Sequence, residues 1–254
     1  MSAAVKTREQ DGVLVVTIDR PEARNAVNGE VAEGVAAAMD ELDARDDLRV
    51  GVLAGAGATF CAGMDLKAFL RGERPVLPGR GFAGLVERPP ATPVIAAVEG
   101  YALAGGFELA LACDMIVAAD NAKFGLPEVK RGLVAAAGGL FRLPDRIPYH
   151  LAMEFTLTGA MVPAERAHAA GLVGRLAPAG RALDAALDLA REIAANAPLA
   201  VAASKRVIAE SRDWPREESF ERQAPIADAV RSSEDAREGA RAFTEKRAPQ
   251  WRNK

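Results

Sequence analysis

The sequence predicts an α/β fold followed by a helical C-terminal part. Three observations carry that reading. Short apolar runs alternate with helix-period segments through the first half, glycine-containing loops follow those runs, and from about Pro144 onward the apolar residues recur only at helical spacing. A chain of 254 residues is long enough to bury a sizeable core.

The strand candidates are Val13 to Ile18, Val50 to Ala54, Val94 to Val98 and Met115 to Ala118, each rich in β-branched or apolar residues. Between the first two, Val31, Val35, Met39 and Leu42 recur at helical spacing, and Asn28 is placed to cap that helix. Clear strands are not expected beyond Pro144. Segments near 148–157, 163–170, 180–195, 198–212, 215–231 and 233–246 read as helices, separated by Gly159, Gly171, Pro198 and Pro215. The charged stretch Glu234 to Glu238 reads as a solvated helix start with its acids first. The expected organisation is a core over residues 1–195 and a helical oligomerisation region over 196–254.

Composition narrows the function classes. Half of the residues are apolar, 26% are charged and the net charge is −3 with acids and bases interspersed. No basic face favours nucleic acid, and the mild acidic excess disfavours anionic membranes. Met1 to Gln10 lacks the apolar core of a signal peptide, and no run of about 18 apolar residues reads as a membrane span, so the expected location is cytoplasmic. Cys61 and Cys113 have no metal-ligand spacing, are expected to pack as small apolar groups, and leave no metal site in view. His150 and His168 have no partner acid or ligand spacing either.

Two glutamates stand out. Glu108 closes Leu103-Ala104-Gly105-Gly106-Phe107-Glu108, and Glu128 closes Phe124-Gly125-Leu126-Pro127-Glu128, both among apolar residues. Burying a carboxylate in such company costs free energy unless it is paired or its pKa moves, so the pair marks a place of proton transfer. Asp114, between a helix and a strand, reads as a structural hydrogen-bonding group, and Asp65 as a helix cap.

A near-repeat adds chemistry to the acids. The strand ending at Ala54 leads into Gly55 to Leu66, and the strand ending at Val98 leads into Gly100 to Phe107, each giving strand, glycine-containing loop, Ala-Gly-x and helix. Glycine allows close backbone approach, and a helix start leaves N–H groups unpaired, so two such starts brought together could cradle a developing oxyanion. Tight turns and close packing would also use these glycines. Neither segment spells a dinucleotide or P-loop motif.

Four segments resemble the enoyl-CoA hydratase/isomerase (crotonase) superfamily: Arg20-Pro21-Glu22-Ala23-Arg24-Asn25-Ala26, Phe60-Cys61-Ala62-Gly63-Met64-Asp65-Leu66, Val98 to Ala110, and Ala122-Lys123-Phe124-Gly125-Leu126-Pro127-Glu128. The resemblance runs from about Val13 to Trp251 with matching order and spacing. It implies a crotonase-like spiral of ββα units with an α-helical C-terminal trimerisation region, hence a homotrimer or dimer of trimers. It also implies an acyl-CoA thioester substrate and no cofactor, coenzyme A being part of the substrate. By the resemblance, the family's oxyanion hole would fall on the Met64 and Gly105 N–H groups, while Arg24, Ala26, Ala62, Gly63, Met64, Asp65, Leu66, Tyr101, Gly105, Gly106 and Pro127 would line the thioester and its CoA arm. Lys67 could reach a CoA phosphate or remain solvated.

The acids choose the branch. Members with glutamate at both positions resemble hydratases, in which water held between Glu108 and Glu128 adds to C3 of a trans-2-enoyl-CoA and a proton reaches C2; which glutamate is acid and which base stays open. Dienoyl-CoA isomerases and aryl-CoA dehalogenases carry a further aspartate on the loop that here reads Leu133-Val134-Ala135-Ala136-Ala137-Gly138-Gly139, so those activities are disfavoured. Phe107 to Ala112 and the tail segments Ser233 to Gly239 and Ala242 to Arg247 resemble carnitinyl-CoA dehydratases, and Phe60 to Lys67 resembles hydratases of bulky sterol side chains. An enoyl-CoA isomerase needing one acid, and a non-catalytic acyl-CoA binder, are the remaining alternatives.

Overall fold

The computed structural model describes residues 4–254. It opens with a hairpin of β1 (Val5–Gln10) and β2 (Val13–Ile18), whose two-residue turn, Asp11-Gly12, has positive φ at both positions. β1 escapes the sequence pattern because five of its six residues are polar. Asn28 then caps α1 (Gly29–Ala44), its side chain accepting from the Val31 N–H at 3.0 Å, and Val31, Val35, Met39 and Leu42 are all buried as their spacing predicts.

The chain continues through β3 (Val50–Gly55), α2 (Leu66–Leu70), the small hairpin of β4 (Val76–Leu77) and β5 (Gly81–Phe82), β6 (Val94–Val98), β7 (Tyr101–Leu103), α3 (Gly105–Ala112), β8 (Met115–Ala119) and β9 (Lys123–Gly125). A 3-10 turn over Pro127–Arg131 precedes α4 (Gly139–Arg142), α5 (Tyr149–Thr158), β10 (Val162–Pro163), α6 (Ala164–Ala169), β11 (Arg175–Ala177) and α7 (Ala182–Ala194). Three longer helices end the chain: α8 (Pro198–Glu210), α9 (Ser219–Arg231) and α10 (Glu234–Glu245).

The main sheet has six strands in the order β1-β2-β3-β6-β8-β11, and every pairing but β1 with β2 is parallel. Its central strands are apolar throughout because both faces are covered. Leu14, Val16, Leu53, Val94, Ala96, Val98, Ile116 and Ala118 face one core with α1 and α3, whereas Val13, Val15, Val50, Val52, Ile95, Ala97 and Val117 face a second core closed by Ala186, Leu187 and Ala190 of α7. Burial of side chains such as Phe60, Phe107 and Phe124 contributes roughly 1.5–3 kcal/mol each.

A second, smaller sheet runs β10-β9-β7 and is extended by a parallel bridge from Cys61 to Ala102. The repeat is now visible: β3 with the Cys61 bridge and α2, β6 with β7 and α3, then β8 with β9 and the 3-10 turn. Each unit gives one strand to each sheet before its helix, which is the ββα winding.

Two expectations need correction. Strands do not end near Pro144: β10 pairs with β9, and β11 closes the main sheet beside β8, but at two and three residues they are too short to show a period. The start of α10 is not wholly solvated. Asp235 is buried and accepts from the Arg252 N–H at 2.7 Å and the Asn253 N–H at 3.0 Å, so the acid straps the C-terminal tail to the helix, while Ser233 provides the N-cap. Among the described residues no helix is long and apolar enough to cross a membrane.

Candidate active site

The loop after β3 is held from behind by Asn25, which is fully buried. Its Oδ1 accepts from the Arg20 N–H at 2.9 Å, and its Nδ2 donates to the Ala56 and Thr59 carbonyls at 2.9 and 2.6 Å. The Arg20 guanidinium donates to the Ala26 carbonyl and pairs with Asp65 at 2.9 Å. Asp65 in turn accepts from the Lys67 and Ala68 N–H groups, capping α2 as expected. Burial pushes its pKa up, but the Ala68 N–H, the Arg20 guanidinium and the Lys67 N–H outweigh that and hold the carboxyl below the ordinary range.

These anchors set residues 24–27 alongside residues 62–65. The Ala62 N–H donates to the Arg24 carbonyl, the Val27 N–H to the Gly63 carbonyl and the Asp65 N–H to the Val27 carbonyl. In this parallel bridge the bonds flank Met64, so its own N–H points to the other side. Met64 precedes the five-residue α2 by two residues. Its N–H is therefore aimed by the bridge to Val27, not by a helix start as the near-repeat suggests.

The second loop meets the first at glycines. The Cys61 N–H donates to the Tyr101 carbonyl and the Leu103 N–H to the Cys61 carbonyl, both at 3.0 Å. A methyl group on Gly106 would overlap the Cys61 carbonyl oxygen, and one on Gly63 would lie 3.3 Å from the Gly105 nitrogen. The Met64 and Gly105 N–H groups thus belong to loops in direct contact. Among the described residues neither N–H has an acceptor, and Gly105 stands at the positive N-terminal end of α3.

Ala104 orients the Gly105 peptide at a conformational cost. Its φ of 52° and ψ of −131° lie in a region that side-chain-bearing residues rarely adopt, while its N–H is tied to the Gly125 carbonyl at 2.8 Å. Ala104→Gly is expected to raise stability by about 1 kcal/mol, relief of strain exceeding the added chain entropy. Urea unfolding measures the gain, and a lower kcat in the same variant would accompany the loosened Gly105 peptide.

Both glutamates enter this site. Glu108, in the first turn of α3, is 2% exposed, and its Oε1 accepts from the Ala137 N–H at 2.7 Å and the Gly139 N–H at 2.9 Å. Its Oε2 has no hydrogen-bond partner among the described residues. Burial pushes the Glu108 pKa up, opposed by the Gly139 and Ala137 N–H groups and by the Arg142 guanidinium. Glu128, on the 3-10 turn begun by Pro127, is half-buried, and its Oε2 is buried without a partner. Burial pushes its pKa up as well, its own backbone N–H and Arg131 oppose this, and the charge of Glu108 raises it further. The two carboxyls therefore interact.

Of the other predicted residues, Arg24, Ala62, Gly63 and Asp65 take part in the backbone bonds above, Ala26 accepts from the Arg20 guanidinium, and Gly106 packs on Cys61. Leu66 is exposed at the start of α2 and Lys67 is exposed beside it; Tyr101 is exposed on β7 and Pro127 opens the turn that carries Glu128. Phe107 is core, its ring 5.4 Å from that of Phe124. Asp114 is structural, accepting from the Val94 N–H and pairing with Lys205. Both cysteines are buried free thiols, each pushed up to about 12 by burial. Among the described residues no three His, Cys, Asp or Glu side chains are grouped to hold a metal ion.

Asn25, Arg142 and the Ala137 and Gly139 N–H groups were not singled out in the sequence. Asn25 lies inside one resembling segment, and Arg142 follows the glycine pair of a loop noted only for lacking an acid; neither spacing reveals which distant carbonyls they reach.

The two-sheet ββα spiral defines a crotonase-type fold. The chain belongs to the enoyl-CoA hydratase/isomerase family, whose model matches residues 8–254. The crystal structure of enoyl-CoA hydratase EchA1 from Mycobacterium marinum superposes with a TM-score of 0.97 at 59% identity, covering 99% of both chains. Enoyl-CoA hydratase EchA19 of Mycobacterium tuberculosis is 44% identical over 95% of this chain and 93% of its own length. A carnitinyl-CoA dehydratase of Salmonella arizonae is also 44% identical, over 99% of both chains. The expected fold class is borne out.

Proposed function

We propose that this protein is an enoyl-CoA hydratase, a hydro-lyase that adds water across C2=C3 of a trans-2-enoyl-CoA to give a 3-hydroxyacyl-CoA. The observation that carries the reading is the convergence of two acceptor-free N–H groups, on Met64 and Gly105, with two interacting carboxyls. A thioester oxygen accepting from both N–H groups gains most as negative charge builds on it, so the amides stabilise the enolate more than the substrate.

Burial raises both acids, but the groups that face them differ. Two backbone donors and a guanidinium support a carboxylate at Glu108, whereas the partnerless oxygen and the neighbouring charge support a carboxylic acid at Glu128. In this assignment Glu108 takes a proton from water as its oxygen bonds to C3, and Glu128 gives its proton to C2. The proton on Glu108 then passes back to Glu128 through water, and the pair is restored. Read in reverse, the same steps dehydrate a 3-hydroxyacyl-CoA, and the carnitinyl-CoA dehydratase relatives favour a carnitine-derived thioester as a second substrate reading.

Arg24, Ala26 and Ala62 to Leu66 are the residues we assign to the CoA arm, with Tyr101, Gly106 and Pro127 near the thioester. Coenzyme A enters as part of the substrate, and no cofactor is invoked. Residues 1–195 and 196–254 are read as core and assembly regions, because α8 and α9 bury no residue within the chain while Phe220 and Phe243 stay exposed; a homotrimer or dimer of trimers would cover them.

The test follows the enoyl absorbance of crotonyl-CoA and crotonobetainyl-CoA with the purified protein. Loss of absorbance with formation of the 3-hydroxyacyl thioester is expected. Shift of a 3-enoyl-CoA double bond without hydration of either substrate would overturn the reading in favour of an isomerase.

A further inference from the structure

Arg142 is a half-buried cation. Among the described residues its guanidinium makes no salt bridge; Nη2 donates to the Val86 carbonyl at 2.5 Å, and Nη1 makes a long bond to the Ala137 carbonyl at 3.4 Å. Its path is kept open by Gly138, where a methyl group would overlap Nη1 and where φ is +100°. A partly desolvated guanidinium is costly unless an opposite charge lies near. Glu108 is that charge: the two feel each other's field, and Ala137, whose carbonyl accepts from Nη1, also donates its N–H to Glu108.

The charged surroundings are few. Glu108 faces Arg142 from α3, the Cys113 thiol from the residue that ends that helix, and Arg146 from beyond α4. Glu108 itself is faced by Arg142 and by Glu128 of the 3-10 turn, with Arg131 acting on Glu128. Among the described residues Arg142 is the cation that acts on Glu108.

We propose that Arg142 is a positioning residue for the hydration step, the counter-cation of Glu108 that also fixes the Ala137 loop binding it. The proposal rests on the hydratase reading of the glutamate pair. Removing the cation should let the shared proton favour Glu108 and leave too little base at low pH, without weakening substrate binding.

The experiment compares the wild-type protein with Arg142→Met, Arg142→Gln and Arg142→Lys. The acid limb of kcat/KM for crotonyl-CoA is measured against pH, and the Glu108 carboxyl is titrated by 13C NMR, assigned with Glu108→Gln. In both neutral variants the limb and the Glu108 titration should rise by about one unit, giving roughly tenfold lower activity on the limb with KM little changed, while Arg142→Lys keeps both near wild type. A uniform loss of activity at every pH, with Glu108 titrating as in wild type, would overturn the proposal and leave Arg142 as packing alone. Gln retains donors for the Val86 carbonyl, so it stands in if the Met variant does not fold. Because the carboxyl titration needs no turnover, failure of the hydratase reading is seen separately, as an inactive wild type whose Glu108 still responds to Arg142.

Discussion

Glu108→Gln and Glu128→Gln are each expected to lower kcat for hydration of crotonyl-CoA by about 10²–10⁴-fold, the usual worth of a positioned acid or base. Either amide keeps the shape of the site but removes one terminus of the proton path. The double variant should lose little beyond the worse single one, since two groups that pass one proton act as a unit. Stopped-flow loss of the enoyl band measures all three, and near-wild-type activity in either single variant would remove that residue from the chemistry.

The same variants should be more stable than the wild type at neutral and alkaline pH. Both folded-state pKa values are raised above the ordinary 4.5, Glu108 by burial and Glu128 by burial and by the charge of Glu108. A raised carboxyl contributes stability that is present below the unfolded value and is lost as pH rises through the folded value. The advantage of each Gln variant therefore appears above pH 4.5, grows until the folded carboxyl has ionised, and then levels off. For Glu128, whose Oε2 is buried without a partner, relief of about 1 kcal/mol corresponds to about 3 °C in Tm. Thermal melts at pH 4 and pH 8 read the sign directly: a gain at pH 4 that vanishes at pH 8 contradicts it.

How much of this was legible depended on where the information lies. β2, β3, β6 and β8 announce themselves because burial on both faces leaves unbroken apolar runs. β7, β9 and β11 have only three residues each, and what makes them strands is pairing with segments far along the chain. The glutamates were legible because an acid among apolar residues is expensive and needs a reason. Asn25 and Arg142 were not, because their partners are backbone carbonyls of Ala56, Thr59, Val86 and Ala137, and no side-chain pattern records which way a distant peptide faces. Met64 shows the mixed case: its place beside a glycine was readable, whereas the bridge to Val27 that aims its N–H was not.

Gly106→Ala should break the oxyanion pair while leaving both acids chemically unaltered. The added methyl would overlap the Cys61 carbonyl oxygen and lie 2.8 and 2.9 Å from the Cys61 carbonyl carbon and Cβ. That carbonyl cannot retreat freely, because it accepts from the Leu103 N–H in the bridge that extends the second sheet. The relief must come from the start of α3, which moves away from the Cys61 to Met64 loop and takes the Gly105 N–H with it. A displacement of about 1 Å at such a donor costs on the order of 10²-fold in kcat, against about 1–3 kcal/mol of stability for the overpacking itself. Gly171→Ala separates the two effects, since φ there is +84° and nothing lies within 4 Å of the added methyl. It should lose about 1 kcal/mol of stability from backbone strain and keep its kcat. If Gly106→Ala folds and also keeps its kcat within twofold, the contact between the two loops does not position the thioester oxygen, and the Met64 and Gly105 amides lose their assigned role.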